Sequence, residues 1–181
     1  MTIKECIVKH SLEMGIDPAI GLSIAKMESG FVHEKKSPHG AVGVFQLMPS
    51  TAKKLGYNPY YLTENVKGGL AYYKMMYQKY GSMELALAAY NAGPGNVSKY
   101  NGIPPFAETK SFINKIMQEY NQQKINPDPL ITKYKNNQKV QDSALTPLDK
   151  IENVIKKVTD EIGGKDSSVQ VTSFAPSAES I

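Results

Sequence analysis

The stretch ESGFVHEKKSPHGAVGVFQLMPSTA, residues 28–52, carries most of the information about the fold of this 181-residue chain. Its glycines and prolines at positions 30, 38, 40, 43 and 49 are too frequent for a helix, so we predict an ordered loop or short strands. Gly40 and Gly43 would let the backbone approach a ligand or another strand closely. Gln46 is polar within an apolar run and needs a hydrogen-bond partner if it is buried. Taken alone, the stretch is also compatible with an ordinary hairpin and an exposed Gln46.

Apolar residues with helical spacing lie on both sides of this stretch. We predict helices over residues 3–14, from Asp17-Pro18 to about Glu28, from Pro49 to Gly56, over 63–80, over 83–90 and over about 108–121. Residues 85–89 are apolar on every face, which predicts a central helix. The sequence therefore predicts an all-α globular domain with one small irregular lobe.

Glu28 lies at the predicted end of an apolar helix, directly before Ser29-Gly30. A carboxyl group in an apolar setting has a raised pKa, which a general acid needs near neutral pH. Most Glu residues at helix ends are instead solvated surface charges.

A second motif, AAYNAGPG at residues 88–95, places Tyr90 and Asn91 at the end of the central helix. The Tyr90 hydroxyl is suited to hydrogen-bond a carboxyl group or a sugar, although an ordinary core tyrosine is the alternative.

Together these motifs resemble the lytic transglycosylase family, whose catalytic domain has a goose-type lysozyme fold. The matching blocks are Glu28-Ser29-Gly30-Phe31, Ser37-Pro38, Gly40-Ala41 with Gly43, Gln46-Leu47-Met48-Pro49 with Thr51-Ala52, residues 88–95, and Gly102 to Phe106 with Glu108-Thr109. The resemblance covers roughly residues 5–121. Val44-Phe45 replaces the usual Leu-Met of the family, and Val42 replaces a frequent Arg.

The resemblance implies a role for each matching position. Glu28 would be the sole catalytic acid/base. It would protonate the glycosidic oxygen between N-acetylmuramic acid and N-acetylglucosamine in peptidoglycan, then take the proton of the muramyl C6 hydroxyl as a 1,6-anhydro ring closes. The substrate's N-acetyl group would replace the usual second carboxylate. Tyr90 matches the residue that holds the catalytic carboxyl group, and the matching cleft or supporting positions are Ser37, Gln46, Met48, Asn91 and Glu108.

Composition changes at Lys124, which predicts a catalytic domain at residues 1–124 and a polar linker or tail at 125–181. The first part holds 14 of the 16 aromatic residues and has a net charge of +5, whereas the second has a net charge of −1. The tail composition does not favour independent folding. Within it, Thr146-Pro147 predicts an amphipathic helix at 147–162 with apolar residues at 3-4-3-4 spacing. This helix would fold back on its own domain, self-associate or bind a protein partner, and residues 165–181 are expected to be disordered.

Several classes of function are disfavoured by composition. All 21 cationic residues are Lys, so the bidentate Arg contact to guanine is missing and we expect no nucleic-acid partner. The three His residues and Cys6 lack the spacing of a zinc site, so neither a metal nor a cofactor is expected. No apolar run is long enough for a membrane span.

The predicted substrate lies outside the cytoplasm, in the bacterial cell wall. The N-terminal residues interleave charged and apolar side chains, unlike a signal peptide, so we expect delivery in a phage virion or by a lysis, secretion or conjugation system. Two other interpretations remain open. One is a goose-type lysozyme that uses water, and the other is a glycan-binding or structural component without catalysis.

Overall fold

The computed structural model describes residues 1–163 and contains nine α-helices in that range. They are α1 (Ile3–Glu13), α2 (Pro18–Ser29), α3 (Pro49–Lys54), α4 (Leu62–Tyr80), α5 (Met83–Ala92), α6 (Pro94–Lys99), α7 (Ala107–Ile125), α8 (Pro129–Ala144) and α9 (Pro147–Gly163). This part of the chain contains no β-strand, only two isolated bridges in the loop before α3. The predicted disorder at 165–181 lies outside the described residues. The chain divides into two units, Met1–Asn137 and Gln138–Ile181.

Local sequence signals set the ends of the helices around the candidate site. Asp17 caps α2 by accepting a hydrogen bond from the Ala19 N–H at 3.0 Å, and Pro18 takes the first helical position. Gly30 ends α2 in the left-handed conformation, with φ of 63°, which costs glycine little. Because α2 ends there, Glu28 lies in its last turn.

Helix α5 is the centre of the first unit. Ala86, Leu87, Ala88 and Ala89 have no exposed surface, so four consecutive residues around the helix are in the core. The helix packs against α4, α6 and α7, while α2 packs against α1 and α7. The predicted central position of this apolar segment is therefore confirmed. Helix α6 follows Gly93 directly and lies between two predicted helices, in a part of the sequence for which we predict none.

The irregular lobe is an ordered loop held by a buried asparagine of α4. The Asn65 side chain accepts a hydrogen bond from the Phe45 N–H at 2.9 Å and donates to the carbonyls of Val42 and Pro59 at 2.8 and 2.9 Å. Gly43 lies against this side chain, because a Cβ there would come within 2.4 Å of Asn65 Nδ2. Phe45 is fully buried. The loop is thus anchored through its backbone, and the Gln46 side chain lines the same cavity as Glu28.

The first unit extends beyond the boundary that we had placed at Lys124. Helix α8 brings Ile131 into the core, with 5% of its surface exposed, and Leu130 and Tyr134 pack beside it. Two ion pairs join this segment to α1: Lys4 to Asp128 at 3.1 Å and Lys133 to Glu5 at 3.7 Å. The polar composition of residues 129–137 was therefore misleading, because three apolar residues on one helical face are enough to dock a helix on an existing core.

Helix α9 forms at the predicted position. Thr146 caps it by exchanging hydrogen bonds with Asp149, whose N–H donates to the Thr146 hydroxyl at 3.2 Å and whose carboxylate accepts from the Thr146 N–H at 2.9 Å. Its apolar stripe is exposed, and it comprises Leu148, Ile151, Val154, Ile155, Val158 and Ile162.

Candidate active site

Glu28 lines a cavity of about 450 Å³ in the first unit. The walls come from α2, the loop before α3, the end of α5 and the first turns of α7, and their residues include Lys35, Lys36, Ser37, Gln46, Asn91, Glu108 and Lys115. A second cavity of about 250 Å³ shares Gln46 and Asn91 with the first. A third, of about 530 Å³, shares Met27 and Lys115 with it. Because the cavity of Glu28 shares wall residues with both others, it lies between them, and the three together are called the cleft below.

The Glu28 carboxyl group is partly buried, and its pKa is raised from 4.5 to about 7. Desolvation is the main cause, since burial disfavours the charged form. The Lys35 ammonium lowers the pKa, and the Glu108 carboxylate raises it further. Within residues 1–163, no side chain hydrogen-bonds the Glu28 carboxyl group. At neutral pH the group is therefore divided between its acid and base forms and is open to a ligand in the cleft.

The end of α2 is attached to the loop that forms the opposite wall. The buried Ser29 hydroxyl donates to the Val44 carbonyl at 2.8 Å.

Gln46 has φ of 46°, an uncommon conformation for a residue with a side chain. Its side-chain amide donates to the carbonyls of Gly43 and Lys35 at 2.9 and 3.1 Å. These bonds leave the Gln46 carbonyl oxygen as the acceptor available to a ligand. The Ser37 hydroxyl accepts from the Ala41 N–H at 3.0 Å and so stabilises its own turn at the cavity wall.

Tyr90 is buried at the end of α5 and lines the second cavity. Its hydroxyl donates to the Phe45 carbonyl at 2.8 Å. The family resemblance implied that Tyr90 holds the catalytic carboxyl group, but this hydroxyl proton is bound to the loop instead. Burial raises the pKa of Tyr90, and the nearby Glu28 charge raises it further, so the phenol stays neutral. In this structure Tyr90 fixes the loop next to Glu28.

Asn91 lies where the first and second cavities meet. Its side-chain oxygen accepts a hydrogen bond from the buried Thr109 hydroxyl at 2.9 Å, which leaves the amide N–H groups for the cleft. Glu108 precedes Thr109 in the first turn of α7 and is exposed to the same cavity as Glu28. The second cavity is lined in part by Met48, which is 40% exposed, and by Tyr72.

The structure brings all the predicted site residues to one cleft. Ser37, Gln46, Asn91 and Glu108 share the cavity of Glu28, and Met48 and Tyr90 line the adjoining one. Sequence reasoning missed Lys35, whose ammonium donates to the Glu28 main-chain carbonyl at 2.6 Å. In the sequence, no local pattern distinguishes Lys35 from its neighbour Lys36. Thr109 was noted only as part of a matching block, and its bond to Asn91 depends on the packing of α7 against α5.

No group of three or more His, Cys, Asp or Glu residues within residues 1–163 could hold a metal ion. Over the same residues, none of the helices is long and apolar enough to cross a membrane.

Comparison with known proteins identifies the family of this chain. The family model of the transglycosylase SLT domain matches residues 5–113, and the chain therefore belongs to the SLT transglycosylase family. A transglycosylase of Enterobacteria phage PRD1 is 35% identical over 129 residues, which are 71% of this chain and 46% of that protein. The soluble lytic murein transglycosylase of Salmonella typhimurium is 30% identical over 142 residues, which are 65% of this chain and 22% of that protein. The chain thus spans less than half the length of these relatives.

Solved structures show the same fold. The lytic transglycosylase Slt from Pseudomonas aeruginosa, solved as an inactive mutant, superposes with a TM-score of 0.60 and 28% identity over 68% of this chain and 24% of that chain. The 70-kDa soluble lytic transglycosylase of Escherichia coli gives 0.59 and 27% over 69% of this chain and 25% of that chain. The predicted all-α, lysozyme-like fold is confirmed.

Proposed function

We propose that this chain is a peptidoglycan lytic transglycosylase that uses Glu28 as its single acid/base. The observation that carries the proposal is the Glu28 carboxyl group, which has a pKa of about 7 and lines the central cavity of the cleft. The family assignment and its murein-cleaving relatives support the choice of substrate.

The proposed reaction needs two proton transfers at one carboxyl group. Protonated Glu28 donates its proton to the glycosidic oxygen, the bond from this oxygen to C1 of N-acetylmuramic acid breaks, and the N-acetylglucosamine side leaves as an alcohol. The N-acetyl group of the substrate stabilises the positive charge at C1. Ionised Glu28 then takes the proton of the muramyl C6 hydroxyl, whose oxygen bonds to C1 and closes the 1,6-anhydro ring. A pKa near the working pH suits both steps, since the same group must act first as acid and then as base.

One experiment distinguishes the proposed lytic transglycosylase from the two alternatives, a lysozyme-type hydrolase and a glycan-binding component without catalysis. Purified peptidoglycan is digested with wild type, Glu28→Gln and the control Glu34→Gln, which changes an exposed carboxylate that does not line the cleft. Mass spectrometry should find anhydromuropeptides with wild type and with the control, and none with Glu28→Gln. Products that carry one added water would indicate a lysozyme-type hydrolase. Equal digestion by Glu28→Gln would contradict catalysis by this residue, and no digestion by wild type would favour a glycan-binding component.

We further propose that α9 binds a protein partner in the assembly that carries the enzyme to the wall. Its apolar stripe is exposed, and its polar face carries both Lys and acidic residues rather than the excess of Lys that an anionic membrane would attract. The phage relative supports a virion or lysis setting, with a secretion or conjugation machine as the second candidate.

Two substitutions in the full chain test the role of α9. Ile155→Lys places a charge in the stripe, and Asn153→Lys places the same charge on the polar face. The first should abolish co-assembly and leave digestion of purified wall unchanged, and the second should leave both unchanged. Normal co-assembly of Ile155→Lys would contradict the proposed contact.

A further inference from the structure

The loop before α3 places one lysine against the end of α2. The Lys35 ammonium donates to the main-chain carbonyl of Glu28 at 2.6 Å. This carbonyl lies in the last turn of α2, where no further turn of helix follows to donate to it, and a cation is favourable at that end of a helix. The contact therefore joins the loop to the residue that carries the proposed acid/base.

The backbone of Lys35 is itself held in place. Its carbonyl accepts hydrogen bonds from the Gly43 N–H at 2.9 Å and from the Gln46 amide at 3.1 Å. The side chain therefore extends from a fixed point, and both Lys35 and Glu28 line the same cavity. A cation anchored in this way keeps a defined place beside the Glu28 carboxyl group.

Charged and titratable groups reach this region from several elements. Lys35 and Lys36 come from the loop, Glu108 and Lys115 from α7, and Tyr90 from α5. Among the residues that the structure describes, Lys35 and Glu108 alone change the Glu28 pKa by their charge, and they act in opposite directions. Lys36 lines the same cavity without such an effect, which makes it the matched control.

We propose that Lys35 is a positioning residue that fixes the end of α2 at Glu28 and keeps a positive charge beside the Glu28 carboxyl group. This proposal rests on the assignment of Glu28 as the acid/base. The charge favours ionised Glu28, the form that accepts the C6 hydroxyl proton in the second step. It offsets part of the effect of Glu108 and of burial, and so keeps the carboxyl group able to lose its proton near neutral pH.

The test is an NMR titration of the side-chain carboxyl carbons in protein labelled with ¹³C-glutamate, with the Glu28 signal assigned by its loss in Glu28→Gln. Lys35→Met should raise the Glu28 pKa by about one pH unit, because a neighbouring cation shifts a carboxyl group by roughly that amount or more. Lys36→Met should change it much less, and Lys35→Arg should retain the wild-type value. The alkaline limb of the pH profile of kcat/KM should shift to higher pH in Lys35→Met, and it should not shift in Lys36→Met or Lys35→Arg.

An unchanged Glu28 pKa in Lys35→Met would overturn the proposal, and so would an equal rise in Lys36→Met. If Lys35→Met is too unstable to titrate, Lys35→Gln replaces it, since a Gln amide keeps a hydrogen-bond donor without the charge. The titration needs no substrate. A failure of the Lys35 proposal is therefore separate from a failure of the proposed activity, which the digestion by Glu28→Gln tests.

Discussion

Replacing Glu28 with Gln is expected to stabilise the folded protein above pH 7 while it removes the proposed acid/base. Gln has nearly the shape of protonated Glu but cannot ionise. In the wild type, ionisation places a charge in a site that disfavours it by desolvation, with the Glu108 carboxylate adding to the cost and Lys35 offsetting part of it. The variant avoids that cost at every pH.

The size of the effect follows from the pKa of Glu28, which is about 7 in the folded protein against 4.5 for an unperturbed Glu. Between these values the folded state binds more protons than the unfolded state, so the free energy of unfolding falls as pH rises. The contribution of protonated Glu28 is complete below about pH 4.5 and lost above about pH 7. At 1.36 kcal/mol per pH unit, the loss is about 3 kcal/mol, a large part of the stability of a typical domain.

Urea unfolding of wild type and Glu28→Gln at about pH 4 and about pH 8 measures this loss, because groups common to both proteins cancel in the difference. The two proteins should have similar stability at the lower pH, and the variant should be more stable by about 3 kcal/mol at the higher pH. Glu34→Gln, which alters an exposed carboxylate, should follow wild type at both. Parallel pH dependence of wild type and Glu28→Gln would refute the reasoning, since it would mean that Glu28 ionises as freely in the folded protein as in the unfolded chain.

Three other substitutions test the packing that positions the site. Asn65→Leu leaves the buried Phe45 N–H without its partner and should cost about 2–4 kcal/mol in urea unfolding, whereas a cost below about 1 kcal/mol would contradict the anchoring role. Gly69→Ala places a Cβ within 2.4 Å of Phe45 Cβ and should lower the Tm despite the better helix propensity of Ala, so a raised Tm would show that the contact relaxes freely. Ile131→Ala should cost about 2–4 kcal/mol because the side chain is in the core, and an unchanged unfolding midpoint would show that α8 is not part of the first unit.

Local signals predicted most of the helices. The cap at Asp17 and the glycine at position 30 set the limits of α2, and through them the place of Glu28. Helix α8 was not predicted because its composition is polar, and a helix of this kind depends on a surface to dock on. That surface is formed by the rest of the first unit, which the sequence of residues 129–137 does not describe.

The sequence predicted which residues form the candidate site, but it did not predict the contacts between them. Motif resemblance named Glu28, Gln46 and Tyr90, and the structure places all three along one cleft. The resemblance did not predict that the Tyr90 hydroxyl donates to the Phe45 carbonyl. Every residue has a main-chain carbonyl, so the residue type at position 45 does not indicate this bond.

The amino-acid sequence by itself determined where most of the helices around the site begin and end, which helix is central, and which family the motifs resemble. Caps, glycines and apolar spacing act over a few residues and can be recognised in the sequence. The tertiary structure decided the properties of Glu28. Its pKa depends on burial by several elements and on charges that lie far apart in the chain, Lys35 in the loop and Glu108 on α7. Desolvation and electrostatic interactions depend on distance in space, and only the folded chain sets those distances.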